Sequence, residues 1–324
     1  MKELFMVGKV TPNTMLSASR LPAVMGYSKY RTPNDELSFS IDALGGKEPE
    51  DIGNEAMQWG NHLEPIVLRE CAKRLHATNL QTEFIDAFFH PNLPLCCSLD
   101  GTADGMGATI VSNPEHGIYV VGQDDITLDG PGILEAKVTK MAPEDVLPLY
   151  RGPIQLQAQM DITGAKWGAV AVLYQASELR IFLFAPHEST IRAIHLAALD
   201  FQRRLDIWTS EKHIDYYPPV NSEDANRTWP DGTPETVFLA GEFEQYARDI
   251  HEAKQDIKQC EAIIDDREKR IKEAMQQATQ AKVGKYTVSW PMRSYKATAE
   301  RIVPAKESYT VRQSSLSIKE NKDL

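Results

Sequence analysis

The sequence is short of several things, and each shortage excludes a class of protein. No apolar run approaches the roughly 18–20 residues that a membrane-spanning helix needs, so an integral membrane protein is not expected. Residues 1–10 lack the basic-then-apolar order of a secretory signal. Only four of the 324 residues are cysteine (Cys71, Cys96, Cys97 and Cys260), and none form a C-x-x-C pair. Neither a zinc ribbon, a disulfide framework nor a four-cysteine iron–sulfur nuclease is therefore expected, and the thiols read as buried and reduced. Glycine and proline, 19 of each, are not enriched, and a 42% hydrophobic fraction is too high for a disordered chain. The expectation is a water-soluble protein of the cytoplasm.

Positive charge is also scarce. Lys and Arg number 35 against 46 Asp and Glu, a net charge of −11 that argues against a generic nucleic-acid binder. The average hides an asymmetry: residues 1–40 carry +2, residues 283–324 carry +4, and the middle carries −17. Basic ends around an acidic middle permit local anion binding in a soluble particle.

Residues 1–217 read as alternating helices and strands. Segment 16–25 is a short helix candidate and 30–37 a polar loop containing Pro33. Leu63, Val67, Cys71 and Leu75 recur at four-residue spacing and predict a helix over 55–76, kinked near Pro65. Strands are predicted at 83–89, 94–99, 117–121 and 132–138, with turn residues such as Asp100-Gly101 between them. A helix over 142–163, a hairpin of 167–174 with 179–185 and a helix over 187–208 follow. The order implies an α/β core with a mixed sheet. Polar residues at 218–240 read as a linker. From Phe243 to Ala278, apolar residues alternate in three- and four-residue steps, interrupted by Arg267, and predict a helix over 242–282. That helix either folds back on its own chain or forms a coiled-coil contact in an oligomer. Segments 285–290 and 294–301 predict a basic β-hairpin, so the last unit is 241–324.

Gly132-Ile-Leu-Glu-Ala-Lys137 lies on a predicted strand, where residues two apart share a face. Glu135 and Lys137 thus project together, while Leu134 and Ala136 point the other way. Ser98-Leu99-Asp100-Gly101 ends an earlier strand; its Asp is either a plain turn residue or, with Glu135, half of a carboxylate pair able to hold a hard divalent cation. Asp104 competes with Asp100 for that place. Trp59-Gly-Asn-His-Leu-Glu64 adds a third carboxylate from a helix. Gln155 and Gln157 lie on the helix after the Glu135 strand, one of them expected to be merely solvated.

Taken in order, these parts resemble the PD-(D/E)xK nuclease superfamily, and within it the lambda-exonuclease/YqaJ-type viral recombinase family. The likeness covers about residues 12–185. It rests on the Ser-rich run 16–28, Trp59-Gly60 with Glu64, Ser98-Leu99-Asp100-Gly101, Glu135-Ala136-Lys137, and Gln155-x-Gln157 followed by Met160 and Thr163. The resemblance implies a restriction-endonuclease-like core with a mixed sheet flanked by helices, plus a long C-terminal helix and a small hairpin. It implies Mg2+, as two ions and replaceable by Mn2+, on Asp100, Glu135 and the Ala136 carbonyl, with Glu64 completing a second position. Lys137 would orient or deprotonate the attacking water, and Gln157 would hold Lys137. DNA would be met by Ser17, Ser19, Arg20 and Gln155; the basic hairpin with Tyr286, Trp290 and Tyr295 is either a second DNA surface or packs its aromatics on the body. The family's 5′-phosphate arginine is missing, so Lys9 or Arg20 would take its place.

By the same resemblance, the activity is 5′-to-3′ exonucleolytic cleavage of linear duplex DNA. Its single-stranded product would pass to an annealing protein. A ring of three or four copies in the cytoplasm of a bacterial host, encoded by phage or prophage, is implied as well. An endonuclease of restriction or repair type and a non-catalytic interaction protein are the rival readings.

Overall fold

The computed structural model describes residues 11–47 and 55–294. It divides into two compact units, 1–228 and 229–324.

The first unit is built on a six-stranded mixed sheet of order β2-β5-β7-β8-β9-β6. These strands are β2 (Thr78–Gln81), β5 (Gly101–Val111), β6 (Ile118–Val120), β7 (Asp125–Thr139), β8 (Gly168–Tyr174) and β9 (Glu178–Phe184). β7 pairs antiparallel with β5 and parallel with β8, so it sits in the interior of the sheet. A smaller sheet joins β1 (Leu16–Ser17), β4 (Leu95–Cys97) and β3 (Phe88–Phe89). Helix α3 (Glu55–Arg74) packs Val67, Leu68 and Cys71 on one face of the large sheet, where Leu134 and Ala136 point. Helices α4 (Pro153–Thr163) and α5 (Glu188–Glu211) contribute Ile154, Leu156, Ile194 and Phe201 to a second core that receives Ile133. The alternation expected for the Glu135 strand is therefore realised with both faces covered.

Several elements differ from the sequence reading, each for a local reason. The expected helix at 16–25 is strand β1, a turn of 3-10 helix and the four-residue α1 (Leu21–Val24). The expected loop at 30–37 mostly belongs to α2 (Pro33–Leu44). Thr32 caps that helix: its Oγ1 accepts the Asp35 amide at 3.2 Å, Asp35 Oδ2 accepts the Thr32 amide at 2.7 Å, and Pro33 needs no partner in the first turn. α3 runs unbroken through Pro65. The helix expected at 142–163 exists only from Pro153, because Pro143, Pro148 and Gly152-Pro153 disfavour helix before it. β5 was not expected, and Asp100-Gly101 at its start reads as a turn. Gly105 is required there, since a Cβ would come within 2.4 Å of the Leu128 carbonyl oxygen across the strand pair.

The segment 218–240, read as linker, contains α6 (Ser222–Thr228), so the core extends past residue 217. Asp224 is buried and holds this helix in place. Its carboxylate accepts Thr32 Oγ1 at 2.8 Å, the Val220 amide at 3.0 Å and Asn34 Nδ2 at 3.4 Å.

In the second unit, α7 (Glu242–Met275) ends earlier than expected. The hairpin is β10 (Gln280–Val283) with β11 (Tyr286–Ser289), displaced from the expected register. The expected second hairpin strand, 294–301, lies almost wholly outside the described residues, as does Tyr295. Tyr286 and Trp290 are exposed. Cys71, Cys96 and Cys97 are buried as expected, but Cys260 on α7 is exposed. Burial pushes the Cys71 and Cys97 thiols up to about 12.

Replacing Asp224 by Ala leaves the Val220 amide and both donors of α2 without their buried acceptor. The expected loss is about 2–3 kcal/mol of stability, seen as a lower urea midpoint with an unchanged slope.

Candidate active site

The chain leaves the small sheet after Cys97 and joins the large one at Gly101, so Ser98-Leu99-Asp100 is a crossing between sheets. Gly101 pairs with Leu134, and one further step along that register sets Asp100 opposite Glu135. The ladder has ended there. The Ala136 amide, past the end of β5, donates to Asp100 Oδ2 at 2.9 Å instead. Asp100 thus closes the strand pair and brings a carboxylate beside Glu135.

Glu135 is fully buried. Its Oε1 is paired with Lys137 Nζ, and its Oε2 accepts Gln159 Nε2 at 2.7 Å. The same Gln159 nitrogen donates to the Ser98 carbonyl at 3.0 Å, tying α4 to the sheet crossing. Lys137 Nζ also donates to Gln155 Oε1 at 3.3 Å. Glu64, half-buried, approaches from α3 closely enough to be influenced by Glu135.

The electrostatics follow from this crowding. Burial, then the neighbouring charge of Glu135, holds Asp100 well above the usual carboxylate range. The same two causes raise Glu64. Burial works against the charge on Lys137, but Glu135 and Asp100 outweigh it and raise the ammonium's pKa. The site therefore gathers three carboxylates around one cation. Their oxygens do not all lie within 4.8 Å of one another, an open arrangement that repulsion and the Glu135–Lys137 pair account for. Carboxylate oxygens are the donor type that a hard divalent cation takes.

Not every expected residue takes its expected place. Gln157, expected to hold Lys137, faces the other way: its Nε2 donates to the Ala185 carbonyl at 2.9 Å and its Oε1 accepts the His187 amide at 2.8 Å. Gln155 and Gln159, four apart on α4, share the face that meets Lys137 and Glu135. Gln159 was missed, although four-residue spacing from Gln155 was the signal that could have found it. Asp104 is not at the site; its carboxylate accepts Asn79 Nδ2 at 2.8 Å and serves the β2–β5 edge.

Arg20 is buried and engaged with its own chain, and it borders the cavity beside Lys137. It pairs with Glu36 and donates to Ser40 Oγ at 2.9 Å and to the carbonyls of Asn13, Met15 and Glu36. Ser17 is buried, and its hydroxyl lies 3.1 Å from that of the exposed Ser19. Lys9 lies outside the described residues. Beside Lys137 opens a cavity of about 490 Å³ lined by Ser19, Tyr30, Arg31, Tyr150 and Arg151. A second, of about 850 Å³, is lined by Trp59, Leu63 and Lys140. Val138 and Thr139 border both.

Asp100→Asn keeps an acceptor for the Ala136 amide and removes a buried repulsion. A carboxyl whose folded pKa is raised stabilises the fold when protonated and loses that contribution as pH rises through the folded value. In chelator, the variant should therefore melt higher than the parent by roughly 2–4 °C, about 1 kcal/mol, and the gap should widen from acid towards neutral pH. A gap that shrinks over that range would contradict the repulsion.

Residues 10–166 match the family profile described as the YqaJ-like viral recombinase domain. No curated protein matches the sequence. Among solved structures, the chain is similar to the alkaline exonuclease LHK-Exo from Laribacter hongkongensis, also solved in complex with dAMP. The identity is 19%, covering 60% of this chain and 89% of that one, with a TM-score of 0.43. A phage-related exonuclease from Haemophilus somnus 129PT is 13% identical, over 61% of this chain and 96% of that one, with a TM-score of 0.39. Asp100, just before β5, and Glu135 and Lys137 on β7 all lie inside the matched segment, so residues 10–166 are a YqaJ-like viral recombinase domain, consistent with the lambda-exonuclease/YqaJ family of the PD-(D/E)xK superfamily.

Proposed function

We propose that this chain is a metal-dependent DNA exonuclease that degrades one strand of linear duplex DNA from its 5′ end, in the cytoplasm of a bacterial host, for phage-type recombination. The observation that carries the reading is the register that sets Asp100 opposite Glu135, with Lys137 paired to the latter.

Asp100, Glu135 and the Ala136 carbonyl would hold Mg2+, with Glu64 serving a second ion and Mn2+ able to substitute. Bound there, the cation supplies charge relief at phosphorus and acidifies water. The protein's own part is positional. Gln159 fixes one oxygen of Glu135, leaving the other turned to Lys137. Gln155 holds the lysine from behind. Lys137, whose neighbours favour its charged form, lies where negative charge develops during cleavage and steadies it. Arg31, whose side chain is 44% exposed in the cavity beside Lys137, suits a phosphate better than the buried Arg20 and Arg151 that line the same cavity, and a planar guanidinium group grips one in two-pronged fashion. Trp59, exposed on α3, offers a stacking surface for an unpaired base in the adjoining cavity.

In this reading the protein works as a ring of three or four copies and passes its product to a single-strand annealing protein. The apolar seam of α7, with Ile257 and Ile264 exposed, supports self-association.

The test compares linear with covalently closed circular duplex, with and without Mg2+. Linear DNA should be consumed only with the metal, and closed circles should survive; cut circles would make the protein an endonuclease. Lys137→Ala should lower kcat by roughly 10²–10⁴-fold while Mg2+ affinity changes little. Undiminished cleavage by that variant removes the lysine from the mechanism. Arg31→Ala should weaken binding to 5′-phosphorylated ends and leave 5′-hydroxyl ends unaffected.

A further inference from the structure

A second set of metal-type donors lies elsewhere in the first unit. His90, just after β3, Asp161 on α4 and His195 on α5 converge so that their donor atoms all fall within 4.8 Å of one another. They are the only three such groups among the described residues. His195 Nε2 lies 2.6 Å from Asp161 Oδ2 and His90 Nε2 lies 3.4 Å from the same oxygen. The two imidazole rings meet edge to face with centroids 5.5 Å apart. The side chains are 10%, 18% and 34% exposed for His90, Asp161 and His195, sheltered yet open to an entering ion.

We propose that His90, Asp161 and His195 form a binding site for a zinc-class transition metal, separate from the carboxylate cluster, that pins the segment after β3 to α4 and α5.

The donor chemistry selects the ion. Two imidazoles and one carboxylate suit Zn2+ and its neighbours, whereas Mg2+ takes oxygen donors and keeps its waters. Zinc bonds of about 2.0–2.1 Å in a tetrahedron place neighbouring donors roughly 3.3 Å apart. The His90–Asp161 separation is already close to that, and the His195–Asp161 pair has to open by less than an ångström. The fourth position is left for water. Asp161 stands two residues beyond Gln159, about 200° further round α4, so it points away from Glu135.

The strongest competing account is a metal-free pair of hydrogen bonds to Asp161. In the arrangement described, the Asn92 amide donates to His90 Nδ1 at 3.1 Å, which places the ring hydrogen of a neutral His90 on Nε2, facing Asp161. Binding zinc through Nε2 moves that hydrogen to Nδ1 and forfeits the Asn92 contact. One local backbone contact is then exchanged for a metal–nitrogen bond, with no change in the ring's net charge. The other hydrogen bond, from His195, is replaced in the same way.

The test uses the full chain carrying Asp100→Asn and Glu135→Gln, so that the carboxylate site is disabled, stripped with chelator and dialysed against Zn2+. One equivalent per chain should remain bound, Co2+ in its place should give a tetrahedral absorption spectrum, and Zn2+ should raise the melting temperature. Adding His195→Gln should lower zinc affinity by more than the roughly 10–100-fold that losing an outer partner costs, and should abolish the thermal shift. Should the histidine variant fail to fold, X-ray absorption at the zinc edge of the unsubstituted chain, with Mg2+ in excess, reads the same question: two imidazole nitrogens support the site. An all-oxygen or sulfur shell overturns it. So does a folded Asp100→Asn/Glu135→Gln chain that takes up no zinc, or an equivalent of zinc that survives loss of both histidines.

Discussion

The proximity of buried carboxylates governs the first unit. Glu135 is fully enclosed, Asp100 lies opposite it, and Glu64 adds a third charge, with Lys137 the cation among the described residues that compensates them directly. Such an arrangement is costly in a medium of low polarity, because like charges that share a site disfavour each other's ionised forms. The surrounding framework holds it together: the central strand is paired on both sides, α4 presses Gln155 and Gln159 onto it, and the glycines at its approach allow unusually close packing. At Gly132 a Cβ would meet the buried ring of Trp167 at 2.1 Å, so the strand leading to Glu135 lies directly against that indole.

The position of Asp100 illustrates how topology produces chemistry. A chain that passes from one sheet to another must leave some amide at the end of the ladder unpaired, and an unpaired buried amide is costly. The Asp100 side chain supplies the missing acceptor. In doing so it is fixed in register with Glu135, and the same oxygen donor set becomes suited to a divalent ion. Stability of the strand end and assembly of the site are one contact.

Much of this was legible in the sequence. Glu135-x-Lys137 shares a face because strand periodicity demands it, and the hairpin of β8 with β9 followed from apolar runs parted by a polar turn. What was not legible had physical causes. Asp100-Gly101 looked like a plain turn and the glycine-rich β5 did not stand out as a strand, because only the partner strand reveals how close Leu128 comes to Gly105. The role expected for Gln157 fell to Gln155 and Gln159, since spacing fixes which glutamines share a helix face but not which way that face turns. Arg20 looked like a phosphate ligand, but the folded chain gives it Glu36 and several carbonyls. The His90–Asp161–His195 cluster was invisible, because its members lie on three segments far apart in sequence. α6 was hidden by its polar composition, as both of its buried residues, the anchor Asp224 and Thr228, are polar.

That anchor bears on where the chain can be divided. A fragment ending at Tyr217 would discard Asp224 and leave the Thr32 hydroxyl without its acceptor, with Asn34 held only by Tyr217, whereas a fragment ending at Thr228 keeps the clasp whole. Expression boundaries drawn from polarity alone would therefore cut through a closure of the first unit, and recombinant material made that way would be prone to aggregation.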